Sequence, residues 1–133
     1  MVYFKHLSRY APLTLRLGVS LVFLWFGSQQ LMNPRDWTSY LPLFTSSWPF
    51  QTTTLVTFNG IFEIIFGTLL LIGFYTRLSS FLLALHLFMI ILSVGYNEIG
   101  VRDFGLFMAA LTIFFWGEDE WCLNRRRSEY REK

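Results

Sequence analysis

Cysteine, histidine and charged residues are scarce in this chain. Cys122 is the only cysteine among 133 residues, so an intrachain disulfide, a Cys-x-x-Cys motif and a thiolate zinc cluster are excluded. That argues against thiol–disulfide chemistry, which needs cysteine pairs. No HExxH, GxGxxG, Walker loop or Ser-His-Asp arrangement is present. Only 15% of the residues are charged and 53% are hydrophobic, so a soluble fold would have to hide long apolar stretches.

Those apolar stretches are long enough to cross a membrane. They cover residues 11–32, 54–74, 78–96 and 101–117, and at 1.5 Å per residue each reaches about 25–33 Å, close to the hydrocarbon thickness. Too little chain remains for a separate soluble domain. The sequence therefore predicts one all-α membrane domain over residues 1–133, a four-helix transmembrane bundle embedded in a lipid bilayer.

Positive charge is distributed unequally between the two sides of such a bundle. One side carries only Arg35 and Arg102, whereas the other side carries Lys5, Arg9, Arg77, Arg125, Arg126, Arg127, Arg131 and Lys133. The positive-inside rule then places both termini in the cytoplasm. Beside a membrane exit, the run of three arginines is predicted to anchor this topology and contact lipid, and no nucleic-acid partner is expected.

The connections predict how the helices are arranged. The longest one, residues 33–51, is rich in aromatic residues and contains three prolines that exclude a long regular helix. We expect it to lie in the membrane interface, where it can cap the outer mouth of the bundle. Tight turns at 75–77 and 97–100 make the last three spans antiparallel neighbours. Gly27 and Gly60 are among the small residues predicted to permit close helix packing.

Ionisable side chains within the spans are the main candidates for function. Glu63 lies near the predicted bilayer midplane, where a carboxylate must face protein, water or a partner charge. His86 lies near the centre of the antiparallel third span and can meet Glu63 there. Asn59 lies one helical turn outward from Glu63 on the same face. Arg16, roughly 8 Å inward of the midplane, is expected to reach Glu63.

Arg102 and Asp103 are predicted to lie at the outer mouth, at a depth similar to that of Gln30. Together these polar residues form a column through the predicted bundle, and three interpretations of this column stay open. It is an internal network that fixes helix register, a pocket for a quinone or another ligand, or a path for protons or small solutes. No metal site is predicted, because His6 is the only other histidine and lies outside the bundle.

The chain resembles the DoxX/DoxD family of small four-helix membrane proteins. The matching segments are Arg16-Leu17-Gly18, Phe26-Gly27 with Leu31 and Asn33-Pro34, Glu63-Ile64-Ile65-Phe66-Gly67, Leu71 to Arg77, Val101-Arg102-Asp103, and Trp116-Gly117. The resemblance extends from Tyr10 to Leu123. One departure is Gln30, which stands where the family often has lysine, and it weakens any transfer of thiosulfate chemistry to this chain.

The resemblance implies a multi-pass protein of a prokaryotic inner membrane. Some relatives are the membrane subunit of a thiosulfate:quinone oxidoreductase, and others belong to oxidative-stress assemblies. Our leading hypothesis is a redox-associated subunit that binds quinone without a covalent cofactor. Glu63 would relay a proton, His86 would bind a carbonyl, and Arg16 would hold Glu63 ionised or bind an anionic group. Asn59, Arg102, Asp103 and Gln30 would complete the binding site.

Two alternatives stand beside this hypothesis. One is a non-enzymatic scaffold that works with a partner protein or as a homo-oligomer, and the other is a small-solute or proton transporter. The sequence alone leaves open whether the chain is an enzyme.

Overall fold

The computed structural model describes residues 6–131, and all regular structure in that part of the chain is helical. The helices are α1 (Ala11–Met32), α2 (Thr52–Ile72), α3 (Thr76–Val94), α4 (Glu98–Trp116) and α5 (Leu123–Arg131). Four of them, α1 with its preceding turn from His6 and then α2, α3 and α4, are long and apolar enough to cross a membrane. The predicted four-span helical bundle is confirmed. Lys5 and Lys133, which entered the charge argument, lie outside the described residues.

The connections between the helices define two ends of the bundle. The "loop end" carries residues 33–51 and 95–97, and the "terminal end" carries residues 73–75 and 117–122. Residues 33–51 form two short 3₁₀-helices, Pro34–Tyr40 and Leu43–Ser47, in place of a regular α-helix. This agrees with the effect expected of the prolines.

Because of local capping, two helices begin or end at residues other than those predicted. Gly73 adopts a φ of +72° and ends α2 two residues before the predicted position 74, because its N–H and that of Phe74 turn back onto the last carbonyls. At the other end, the Asn97 side chain accepts the N–H of Gly100 at 2.9 Å and caps α4. Residues 98–100, predicted as a turn, are therefore the first turn of α4.

Packing inside the bundle is apolar. Its buried centre draws from all four spans and comprises Val19, Phe23, Leu70, Leu83, Ala84, Leu87, Ala110 and Ile113. Large apolar side chains such as Leu21, Ile65 and Phe115 are exposed on the outer faces. In water this exposure would be costly, but acyl chains solvate such faces at no cost. The fold is that of a multi-pass membrane protein.

The closest helix contact joins α1 to α2. A β-carbon on Gly27 would lie 2.9 Å from the carbonyl oxygen of Gly60, and one on Gly60 would lie 3.0 Å from that of Gly27. Real β-carbons essentially never come within 3.0 Å of such an atom, so Gly27 cannot gain a side chain without a shift of the helices, and at Gly60 the fit would be very tight. This contact decides which side chains meet in the next helical turn.

Candidate functional site

Glu63 is at the centre of a polar network inside the bundle. Its carboxylate is buried and receives three side-chain contacts, from Gln30 Nε2 at 3.1 Å, Asn59 Nδ2 at 3.2 Å and His86 Nε2 at 3.0 Å. Asn59 Nδ2 also donates to Gln30 Oε1 at 2.6 Å. The predicted meeting of Glu63, His86 and Asn59 is thus observed, and Gln30 joins them.

The glycine crossing positions these groups. A β-carbon on Gly27 would lie 3.2 Å from that of Glu63, and one on Gly60 would lie 3.1 Å from that of Gln30. The two backbones approach so closely that the Gln30 amide is held directly against the Glu63 carboxylate. On α2, Asn59 and Glu63 are four residues apart and so project from the same face.

The charge environment of Glu63 is unusual for a buried carboxylate. It contacts two neutral amides and one imidazole, and neither Arg16 nor Arg102 is among these partners. His86 is the partner that can gain a positive charge. If Glu63 is ionised it only accepts hydrogen bonds, so His86 Nε2 carries the proton between them. Nδ1 then accepts a hydrogen bond when the ring is neutral and donates one when the ring is protonated.

A cavity of about 520 Å³ opens beside this network. Its polar wall consists of Gln30, Asn59, Glu63, His86, Arg102 and Asp103, and most of the remaining lining is apolar or aromatic. At the loop end the cavity is covered by side chains of the 33–51 connection, which are Trp37, Tyr40, Leu41, Pro42, Phe44, Thr45 and Trp48. The size and the mixed lining are typical of a site for a small amphipathic molecule.

Arg102 and Asp103 form the part of this wall that belongs to α4. Asp103 is buried, and Arg102 Nε and Nη2 contact its Oδ1 at 2.9 and 2.8 Å. The guanidinium carbon also lies 5.0 Å from the ring centroid of Phe26, an arrangement that favours a cation over the ring face. The pair sits close to the start of α4, as the sequence predicted.

Arg16 does not join the network, and its expected contact with Glu63 is wrong. It lies at the terminal end, where Nε donates to Asp119 Oδ2 at 2.7 Å and Nη2 to Oδ1 at 3.3 Å. Nη1 donates to the carbonyls of Leu70 and Leu71 at the end of α2. Both members of the ion pair are almost fully buried. Arg16 shares the buried face of α1 with Gly27, which packs against Glu63. Gly27 lies 11 residues further along α1, about 16 Å at 1.5 Å per residue, so Glu63 is too far along the bundle axis for Arg16 to reach.

Asp119 is the polar residue that the sequence did not single out. Burial by itself raises the pKa of this carboxyl, but hydrogen bonds from Arg16 and from the N–H of Trp121 outweigh it, so the pKa lies below its ordinary value. Asp119 lies between Glu118 and Glu120 just after α4. Nothing in that acidic run distinguishes the buried carboxylate from its neighbours.

Cys122 packs beside this ion pair. Its sulfur accepts the N–H of Asp119 at 3.3 Å and lies 3.4 Å from Thr76 Oγ1. Burial raises the pKa of the Cys122 thiol, so the thiolate that would react is disfavoured. The cysteine is a packing residue here.

Four membrane-spanning helices around a buried carboxylate and an amphipathic cavity define a small helical membrane protein with an internal polar site. The chain belongs to the DoxX family, whose family model matches residues 11–95. Gln30, Asn59, Glu63 and His86 lie inside that match, whereas Arg102, Asp103 and Asp119 lie beyond it. Comparisons with curated proteins and with solved structures gave no match.

Proposed function

We propose that this protein is a redox-associated membrane subunit that holds the head group of a quinone, or of a similar lipophilic ligand, against Glu63 and His86. The observation that carries the proposal is the 520 Å³ cavity, which places a buried carboxylate–imidazole pair in an otherwise largely apolar chamber. Within such a pair a proton can pass between the imidazole and the carboxylate without any net change of charge in the low-dielectric interior.

The residues of the cavity fit a quinone ring. Phe23, Phe26 and Phe62 line it and offer apolar and aromatic surface to the ring. Gln30, Asn59 and Arg102 add hydrogen-bonding groups that suit carbonyl or hydroxyl oxygens. Bound quinone would supply two-electron, two-proton redox chemistry, with electrons delivered by a redox centre of a partner subunit.

Within that chemistry the chain itself handles protons. When Nε2 donates to an ionised Glu63, His86 can donate from Nδ1 to a ligand carbonyl only as an imidazolium, paired with the Glu63 carboxylate. After it gives up that proton, neutral His86 accepts a hydrogen bond from a ligand hydroxyl at the same nitrogen. Glu63 stabilises the charged ring and sets which nitrogen faces the ligand. We therefore assign proton relay to the pair as a unit.

A non-enzymatic scaffold is the second candidate, and one observation favours it. Gln30, Asn59, Glu63 and His86 already satisfy one another without a ligand, as a network that only fixes helix register would. On this account the cavity would hold lipid, and removing the Glu63 charge would change stability alone.

Fluorescence separates the two candidates. Trp37 and Trp48 line the cavity, so a bound quinone should quench their emission in a saturable way. We expect Glu63→Gln to weaken binding about tenfold, because the loss of a charged hydrogen bond costs roughly 1.5–3 kcal/mol. Glu98→Gln is the matched control, since it removes an exposed carboxylate at the loop end. Equal affinity in Glu63→Gln and wild type would disprove the assigned role, and lost stability without any quinone binding would support the scaffold.

A further inference from the structure

We propose that the cleft between α2 and α3 at Phe58 and Met89 is a tail-binding subsite, through which the hydrocarbon chain of the pocket ligand passes into the lipid. The inference rests on the proposed function and adds what that function leaves open, namely the class of ligand and its route. The ligand would be amphipathic, with a polar ring at Glu63 and a long apolar chain.

The first argument is the distribution of exposed side chains around the cavity. Among its lining residues within the four spans, three are exposed on the outer surface of the bundle: Phe58, Met89 and Arg102. Phe58 is 74% exposed and Met89 is 44% exposed. Phe58 belongs to α2 and Met89 to α3, so on these two neighbouring helices the same apolar side chains line the cavity and face the lipid.

The α1–α4 side of the cavity carries a charged side chain. There Arg102 is tied to Asp103 and lies over the ring of Phe26, which joins α4 to α1. A hydrocarbon chain that passed between α1 and α4 would separate the Arg102 guanidinium from Asp103 and Phe26. Passage there is therefore unfavourable, because the charge would lose its partners. The loop end is covered by the 33–51 connection. The α2–α3 side is the apolar exit.

The second argument is depth. Phe58 lies six residues into α2 and Met89 five residues before the end of α3, which places both roughly 8–9 Å from the loop end at 1.5 Å per residue. That depth is inside the hydrocarbon region of a bilayer with a core about 30 Å thick. A molecule at this opening meets acyl chains, so a water-soluble ligand would not use it.

The third argument is the position of the cavity along the two helices. They are joined at the terminal end by only residues 73–75, which hold them together there. Their cavity-lining residues lie away from that turn, at 55–63 on α2, from its loop-end half to its middle, and at 86–90 on α3, in its loop-end half. On α3 the stripe His86, Met89, Ile90 has the i, i+3, i+4 spacing of one helical face, and it leads from the polar site to the opening.

The test compares two probes, a benzoquinone carrying a decyl chain and the same ring carrying only a methyl group. Binding is measured on the full chain in lipid nanodiscs, where partition into lipid is common to all variants. We expect Met89→Trp to weaken binding of the decyl probe about tenfold while the affinity for the methyl probe stays within about twofold. Leu85→Trp is the matched control, because Leu85 is one turn away on the same face, is exposed and does not line the cavity.

The outcomes separate the two proposals. Equal loss of both probes in Met89→Trp, or loss of neither, would contradict the subsite while the head-group site stands. Failure of the wild type to bind either probe would contradict the proposed function and the subsite with it.

A second measurement uses the wild-type chain and so does not depend on how a variant folds. A photoreactive group at the end of the decyl chain should label peptides that contain Phe58 or Met89. Labelling confined to residues 37–48 would place the tail under the loop-end cover and overturn the inference.

Discussion

At the scale of single residues, the Arg16–Asp119 ion pair is an interaction whose disruption should be costly. The guanidinium has three partners, Asp119 and the carbonyls of Leu70 and Leu71, and is 3% exposed. A buried charge of this kind is tolerated only while its partners are in place. The pair therefore holds the end of α2 and the segment after α4 against α1.

Replacing Asp119 by asparagine should destabilise the protein by about 3–5 kcal/mol near neutral pH, because Arg16 is left buried without a counter-charge. The pKa of Asp119 is lower in the folded chain, so its stabilisation is present above the ordinary value of 3.8 and is lost as the pH falls through the lower folded value. Thermal unfolding of wild type and Asp119→Asn in detergent should show a gap that closes below about pH 3.8. A gap that is constant down to pH 2 would show that Asp119 carries no charge-dependent role.

At the scale of helices, the α1–α2 crossing depends on the two glycines that face each other. Gly27→Ala should destabilise by about 1–3 kcal/mol, because its methyl group cannot fit 2.9 Å from a backbone oxygen and the helices must separate. Separation would also pull Gln30 away from Glu63, so quinone affinity should fall as well. Unfolding and quenching titrations measure the two effects.

Gly18→Ala serves as the control on the same helix. A β-carbon on Gly18 meets nothing within 4 Å, and alanine is the better helix former by up to about 1 kcal/mol. We expect unchanged or slightly raised stability and unchanged affinity. A similar loss in both variants would mean that glycine at position 27 matters for some reason other than the close approach.

The turn between α2 and α3 is the second place where a glycine is required. Gly73 has a φ of +72°, and a β-carbon there would lie 2.6 Å from the Cα of Cys122. Gly95 has a similar φ of +74° but open space around it. Gly73→Ala should therefore cost several times more stability than Gly95→Ala, for which roughly 1–2 kcal/mol of backbone strain is expected. Thermal unfolding of the two variants measures the difference, and equal costs would rule out the contact with Cys122 as its cause.

At the scale of the whole molecule, the orientation in the membrane follows from charge. Among the described residues, the loop end carries Arg35 and Arg102, and the terminal end carries Arg9, Arg77, Arg125, Arg126, Arg127 and Arg131. We expect a membrane-impermeant maleimide to label Ser46→Cys from outside intact cells and Ser128→Cys only after permeabilisation. Native Cys122 is 0% exposed and should give little background. The reverse labelling pattern would contradict cytoplasmic termini.

The helical bundle and the Glu63–His86 contact could both be predicted from the sequence, for physical reasons. Apolar runs of membrane length have few folds open to them, and counting residues gives depth, which brought Glu63 and His86 together. For Arg16 the count underestimated the axial distance, because Glu63 packs beside Gly27, 11 residues and about 16 Å further along α1. Arg16 pairs with Asp119 instead. Asp119 was missed because its inward direction depends on the chain reversal at Gly117, with a φ of +85°, a feature that the local acidic run does not encode.

The distance along the chain between Arg16 and Asp119 has a consequence for biosynthesis. The two residues are 103 positions apart, so at 5–20 residues per second the ribosome makes the aspartate roughly 5–20 s after the arginine. The carbonyls of Leu70 and Leu71 emerge about halfway through that interval. Until synthesis reaches Asp119, the first span carries a cation that the membrane interior rejects, and the nascent chain must keep it near headgroups or the insertion machinery. Closure of this ion pair thus marks the completion of the fourth span, and a product truncated before residue 119 would carry an arginine without its counter-charge, which quality control can recognise.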